Sequence, residues 1–166
     1  MEDNRSWEET IRKAFLTGVE TIAGILNTEV IKYNDPNYSS FVIPGGLCIM
    51  GIHQIGSKKD YVDIRWRVLI GEIAPEFDVN WALEANFGMP ETCYSIFKCE
   101  DKTILVMTDI YRFLISWGAQ EIINIMKLRF GGAFSFPFAQ PTISALSGDL
   151  IETILTKYQP KSLLGN

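Results

Sequence analysis

The segment from Gly51 to Lys58 carries glycines spaced somewhat as in a phosphate-binding P-loop, and it ends in Ser57-Lys58. A P-loop needs lysine before the hydroxyl residue, a strand before the loop and a helix after it, because amide groups at the helix N-terminus bind the phosphate. Here serine precedes lysine, and the pattern that follows is that of a strand. We therefore predict a connection between two strands and no phosphate-binding loop.

His53, the single histidine, and three carboxylates are the residues with the clearest potential for acid–base chemistry. No G-x-S-x-G pattern or other nucleophile signature accompanies His53, which favours a structural or surface role. Asp63, Glu84 and Asp109 could supply a carboxylate pair, but nothing in the sequence brings two of them together. Asp63 shares its strand face with arginines, which predicts cross-strand ion pairing. We therefore predict no catalytic residue and expect that the protein is not an enzyme.

Three cysteines, Cys48, Cys93 and Cys99, fit a reducing compartment. If Cys93 and Cys99 lie at the two ends of one strand, they are ~20 Å apart, which is too far for a disulfide. The chain has no C-x-x-C pattern and only one histidine to complete a zinc site. The cysteines therefore predict neither a metal site nor a cofactor.

The charge balance and the length of the apolar runs exclude further classes of function. The net charge is -5 and the pI is about 4.9, which opposes binding to nucleic acid. The longest apolar runs are shorter than the roughly 20 residues that cross a membrane. The acidic first residues do not resemble a signal peptide. We expect a cytoplasmic protein with no nucleic-acid or membrane partner.

The residues after the Ser57–Asp60 turn alternate most clearly between apolar and polar side chains. This alternation predicts a long antiparallel strand with one buried face and one solvent-exposed face. The side chains predicted to be buried are Val62, Ile64, Trp66, Val68 and Ile70. Two hairpins accompany this strand. Their predicted strands are residues 38–43 and 47–54 in the first hairpin and 93–99 and 103–112 in the second.

Four helices are predicted from capping residues that precede apolar positions at helical spacing. The first helix begins with a capping box formed by Ser6 and Glu9. The predicted spans are 7–26, 78–87, 117–130 and 150–158, with Asp78, Ser116 and Ser147 as caps of the last three. Gly131-Gly132 is expected to end the third helix. The aromatic segment 133–141 is too rich in proline for a helix, and we expect it to lie extended on the surface.

Together these patterns predict an α+β fold, an antiparallel β-sheet of about five strands with helices packed on it. The predicted order is α-β-β-β-α-β-β-α, followed by a C-terminal helical extension. We assign residues 1–132 to the α+β domain and residues 133–166 to an extension packed on the same domain.

The segment Leu83-Glu84-Ala85-Asn86, the hairpin after it and the helix from about Trp117 resemble the C-terminal half of the type III secretion chaperones (the Tir-chaperone or CesT-like family). In that family a similar Leu-x-Ala-Asn helix end precedes a hairpin whose second strand leads into a long closing helix. The resemblance covers residues 7–130. It extends to bacterial YbjN-like proteins and several cyanobacterial families that share this secretion-chaperone-like fold.

The resemblance implies a cytoplasmic homodimer that binds a partner polypeptide on exposed apolar surface, without catalysis or a cofactor. The candidate partner-binding residues lie on the first helix and the first hairpin: Ile11, Phe15, Val19, Tyr38, Phe41 and Ile43. Apolar residues beyond the helical stripe also favour a homodimer, namely Ile125, Leu128, Phe134, Phe136 and Phe138. The alternative is a small-molecule-binding or regulatory protein of the same fold, with its ligand on the concave side of the sheet.

Overall fold

The computed structural model describes residues 4–78, 80, 84, 86–87, 92–133 and 143–164, without the side chains of residues 4–7, 92 and 129–133. Its helices are α1 (Asn4–Ile25), α2 (Ala119–Ala133), α3 (Gly148–Lys157) and α4 (Pro160–Leu164), with a short 3-10 turn at Ile115–Trp117. Its strands are β1 (Val30–Lys32), β2 (Tyr38–Ile43), β3 (Gly46–Ile55), β4 (Tyr61–Ile73), β5 (Thr92–Cys99), β6 (Lys102–Leu114) and β7 (Ile143–Ser144). None of the helices in these ranges is long and apolar enough to cross a membrane.

Antiparallel pairing joins the strands into one sheet of order β1-β2-β3-β4-β6-β5, with β7 beside the end of β4. The predicted α+β class and both predicted hairpins, β2–β3 and β5–β6, are confirmed. The short strands β1 and β7 complete the sheet. Within the sheet, β4 pairs with β3 on one side and with β6 on the other, so it lies in the interior.

The helices α1 and α2 cover one face of the sheet, and the alternation predicted for β4 is confirmed there. Val62, Ile64, Trp66 and Val68 are at most 3% exposed and pack beneath the apolar stripe of α1. Gly18 allows the two helices to approach each other closely, because a Cβ atom at this position would lie 2.5 Å from the sulfur of Met126.

The opposite face of the sheet is covered by α3 and α4, which corrects the prediction of a solvent-exposed face. The long strands and the two C-terminal helices form a second core there. Its buried leucines and isoleucines are Leu47, Ile49, Leu69, Ile104, Leu146, Leu150, Ile151, Ile154, Leu163 and Leu164. The helices of the C-terminal extension therefore complete a layered structure, with the sheet between two pairs of helices.

Two of the four predicted helix caps are confirmed. The Ser147 hydroxyl accepts a hydrogen bond from the Leu150 N–H at 3.1 Å and begins α3. The Asp78 carboxylate accepts from the Asn80 N–H at 3.0 Å, as expected for the cap of a short helical segment, of which residues 80, 84, 86 and 87 are described.

The other two predicted helix starts are wrong. The helix α1 begins at Asn4, so Ser6 lies inside it, and α2 begins only at Ala119, after the 3-10 turn that contains Ser116. Nor does Gly131-Gly132 end α2, which continues to Ala133. Most of the aromatic segment 133–141 lies outside the described residues.

Candidate functional site: the open edge of the sheet

The strand β5 forms an outer edge of the sheet, because within the described residues it pairs only with β6. An edge strand directs every second pair of N–H and C=O groups outward, where another strand can bind. The strand at the other end of the sheet, β1, has three residues, whereas β5 has eight. The longer of the two edges is therefore β5.

Asn86 shows which backbone groups of β5 point outward. Its Nδ2 donates to the Tyr94 carbonyl at 2.9 Å, and its Oδ1 accepts from the Tyr94 N–H at 2.5 Å. Because outward groups alternate along an antiparallel strand, Ile96 and Lys98 also direct their N–H and C=O groups away from β6. In the part of the chain that the structure describes, no hydrogen bond occupies these groups. Asn86 thus replaces a neighbouring strand at Tyr94, and among the described residues nothing pairs with the edge from Ile96 onward.

Exposed apolar side chains lie on this edge and on the helical segment before it. Ile96 is 45% exposed, and Phe87, which follows Asn86 directly in the chain, is 97% exposed. By contrast, Tyr94 points into the core, where burial raises the pKa of its hydroxyl. Open backbone groups on an edge strand with an exposed apolar side chain are typical of surfaces that bind an extended polypeptide.

The residues predicted from the sequence to bind a partner lie elsewhere, and most are inaccessible. Five of them are buried in the core between α1 and the sheet: Ile11, Phe15, Val19, Phe41 and Ile43. Only Tyr38 is half-exposed, and it packs against the second core on the other face. We correct this assignment, because a partner could reach the five buried side chains only if α1 left the sheet.

The candidate acid–base residues are not brought together. Asp63 lies on the α3/α4 side of the sheet, and its two oxygens accept from the Arg112 Nε and terminal nitrogen at 2.8 and 2.9 Å. This hydrogen bond is the main cause of the raised pKa of Arg112.

Asp109 is buried and lies opposite Trp66 in the sheet, on the α1/α2 side. Glu84 and His53 are both exposed, Glu84 on the helical segment and His53 at an irregularity in β3. The ion pair predicted for Asp63 is confirmed, and the two buried carboxylates face opposite ways.

The segment from Gly51 to Lys58 connects two strands, as predicted. Residues 51–55 belong to β3, and a turn then leads into β4, so a strand stands where a P-loop needs a helix. Cys93 and Cys99 lie on one strand, and all three cysteines are free thiols. Burial raises the pKa of the Cys48 thiol. Among the described residues, no group of three histidine, cysteine or acidic side chains is placed to hold a metal ion.

Comparison of the chain with protein-family models, with curated proteins and with solved structures finds no match.

Proposed function

We propose that this protein is a non-catalytic, chaperone-like module that binds an extended segment of a partner polypeptide as an additional strand beside β5. The observation that carries the proposal is the outward-facing backbone of Ile96 and Lys98, on a strand whose Ile96 side chain is also exposed. In strand addition, main-chain hydrogen bonds supply affinity, and contacts with alternate side chains supply selectivity. A segment with apolar residues at alternate positions would contact Ile96 and place polar residues toward solvent.

The resemblance to secretion chaperones supports the same class of function, because members of that family bind polypeptides without catalysis. It also supports a cytoplasmic location, which agrees with the three free thiols. The homodimer that the resemblance implies belongs to this proposal as well. Its contact would involve α2, where Leu128 is 79% exposed, and would leave β5 open to a different polypeptide.

Peptides selected from a random displayed library on the immobilised protein provide a probe for the edge. Ile96→Pro removes one outward N–H group but no hydrogen bond to β6, and proline is tolerated on the open side of an edge strand. Ile96→Ala, the matched control, removes the same side chain and keeps the N–H group. We expect Ile96→Pro to abolish peptide binding and Ile96→Ala to weaken it only partly. In the wild type, the bound peptide should slow hydrogen exchange of the Ile96 and Lys98 amides.

Equal affinity of the two variants for the peptide would show that the backbone of β5 is not the binding site. Exchange protection confined to other strands would lead to the same conclusion. Circular dichroism of both variants distinguishes a blocked edge from a lost fold.

A further inference from the structure

A pocket of about 280 Å³ lies between α1 and the edge of the sheet that β1 and β2 form. This edge is opposite to β5, because the strand order runs from β1 at one end of the sheet to β5 at the other. Pockets that bury a drug-sized ligand have volumes of about 300–1,000 Å³, so this pocket suits a somewhat smaller molecule. The residues that determine its chemistry are Lys13, Leu16, Lys32, Tyr33, Pro36 and Ser39.

The walls of the pocket are mainly apolar. Leu16 contributes to them from α1, and Pro36 contributes from the turn between β1 and β2. The third wall is Tyr33, whose hydroxyl shares a hydrogen bond of 2.7 Å with the Ser40 Oγ. Burial raises the pKa of this hydroxyl, so the phenol is neutral at physiological pH. Leucine, proline and a neutral phenol ring together favour an aromatic ring as the ligand group between them.

Hydrogen bonds hold the turn between β1 and β2 against α1. The Arg12 Nε donates to the Asn37 Oδ1 at 3.1 Å, which ties the helix to the turn. Within the turn, the Asp35 Oδ1 accepts from the Asn37 N–H at 2.9 Å. Pro36 lies between these two residues, and its ring restricts the backbone further. The walls of the pocket are therefore formed before a ligand enters, which lowers the entropy cost of binding.

Cationic side chains surround the pocket although the chain as a whole has a net charge of -5. Two of them already have acidic partners outside the pocket. Arg12 pairs with Glu8 at 3.6 Å, a contact one helical turn away. Lys32 pairs with Glu20 at 3.5 Å. Lys13 also lines the pocket, and among the described residues no carboxylate pairs with its ammonium group or lines the pocket. The charge of Lys13 is therefore available to a singly charged anion.

A buried hydroxyl group also lines the pocket. Ser39 is 3% exposed, whereas Lys13 is exposed, so the hydroxyl lies deeper than the ammonium group. Across the described ranges, no hydrogen bond involves the Ser39 side chain. Buried hydroxyl groups normally have a hydrogen-bond partner. A polar substituent on the inner end of a ligand would supply one.

We propose that this pocket binds a small aromatic carboxylate that carries a hydroxyl group at the opposite end of its ring. The carboxylate pairs with Lys13 at the opening, and the hydroxyl group bonds to Ser39 inside. Between these two ends, the ring packs against Leu16, Tyr33 and Pro36. A dianionic phosphate fits less well, because it would require a second cation without an acidic partner. The site lies at the opposite edge of the sheet from β5, so this binding goes beyond polypeptide capture.

Isothermal titration of the full chain with three related compounds at constant ionic strength tests the proposal. The compounds are 4-hydroxyphenylacetate, phenylacetate and 4-hydroxyphenylacetamide. We expect saturable binding of 4-hydroxyphenylacetate. Phenylacetate lacks the hydroxyl group and should bind about fivefold more weakly, through loss of one hydrogen bond. The amide is neutral and should bind about tenfold more weakly, because it cannot pair with the Lys13 ammonium.

Three variants assign the two ends of the ligand to residues. Lys13→Gln should weaken 4-hydroxyphenylacetate binding about tenfold and leave binding of the amide unchanged. Lys98→Gln, the matched control, removes an exposed lysine from β5 at the opposite edge of the sheet and should leave both unchanged. Ser39→Ala should abolish the preference for 4-hydroxyphenylacetate over phenylacetate.

Failure of 4-hydroxyphenylacetate to bind would overturn the proposal. So would equal affinity for the acid and the amide, or an equal loss in the two lysine variants, which would indicate non-specific attraction of anions. A preference for the hydroxyl group that persists in Ser39→Ala would overturn it as well. Lys13 is exposed on α1, so its substitution is not expected to unfold the protein and decides the proposal even if Ser39→Ala does not fold. Ile96→Pro should bind 4-hydroxyphenylacetate like the wild type, which tests this site separately from β5.

Discussion

Asn86 holds the edge strand through two hydrogen bonds made by one side chain, and its substitution should therefore cost more stability than a surface change. Asn86→Ala removes both the donor to the Tyr94 carbonyl and the acceptor from the Tyr94 N–H. A typical hydrogen bond contributes about 1 kcal/mol to folding. We expect Asn86→Ala to lower the free energy of unfolding by about 2 kcal/mol and the Tm by roughly 4 to 8 °C.

Urea denaturation followed by circular dichroism measures this loss, and Asn80→Ala is the matched control. Asn80 is exposed on the same helical segment, and only its backbone N–H bonds to Asp78, so its substitution should change stability by less than about 0.5 kcal/mol. Asn86→Asp keeps the acceptor but places a carboxylate against the Tyr94 carbonyl. It should destabilise at least as much as Asn86→Ala at neutral pH.

The two hydrogen bonds of the Asn86 side chain also predict a change in backbone dynamics that the free energy of unfolding does not report. In Asn86→Ala the Tyr94 N–H loses its partner and should exchange with solvent much faster, while amides directed toward β6 keep their protection. Equal stability of the Asn80 and Asn86 variants, with unchanged exchange at Tyr94, would refute the role assigned to Asn86.

Three further predictions follow from burial and exposure. Phe15→Ala should destabilise the fold by about 3–5 kcal/mol in urea denaturation, because Phe15 is 1% exposed in the core; a neutral effect would mean that α1 does not pack as described. Iodoacetamide at neutral pH should label the exposed Cys93 and spare Cys48, whose thiol pKa is raised by burial; mass spectrometry after equal labelling of both would contradict this. Light scattering should give twice the 18.8 kDa chain mass for the wild type and a smaller mass for Leu128→Lys, whereas a wild-type monomer would exclude the proposed homodimer.

Most of the fold could be predicted from local sequence patterns, because each of these patterns has its own single physical cause. The alternation around Trp66 requires a strand with a buried face, and Val62, Ile64, Trp66 and Val68 are buried as expected, whereas Ile70 is only partly buried. Ser147 and Asp78 precede helices because their side-chain oxygens satisfy N–H groups that the first helical turn leaves open. Ser6 and Ser116 matched the same pattern, but α1 begins before Ser6, and a 3-10 turn contains Ser116. A capping residue therefore indicates that a helix lies nearby more reliably than it indicates the residue at which that helix begins.

The second core was missed although the sequence contains a signal for it. Residues 47–50 are apolar at every position, which is typical of a strand covered on both faces. Leu47 and Ile49 face α3 and α4, whereas Cys48 and Met50 face α1. The hairpin prediction explains only one face of this segment, and it leaves Leu69 on the face of β4 that is expected to meet solvent. The apolar run at 47–50 and the position of Leu69 are both explained by the packing of the C-terminal helices on this face of the sheet.

The partner surface could not be located from periodicity, because a buried apolar stripe and an exposed one have the same spacing. Ile11, Phe15 and Val19 satisfy the pattern expected for either, and the structure buries them. The role of Asn86 depends on its distance to the backbone of Tyr94, eight positions later. The likeness of residues 83–86 to a chaperone motif indicated this position, but it did not indicate the hydrogen bonds that Asn86 makes.

The coverage of both sheet faces decides where a polypeptide can bind. In a two-layer fold, an apolar sheet face would be the natural groove, but here α1 and α2 occupy one face and α3 and α4 pack on the other. A partner that entered either core would have to displace a helix and expose residues such as Phe41, which is fully buried. Adding a strand to β5 requires no such opening, because the groups at Ile96 and Lys98 already point outward. In the proposed binding mode Asn86 would set the length of the site, since a partner strand that extended past Ile96 would compete with its amide for Tyr94.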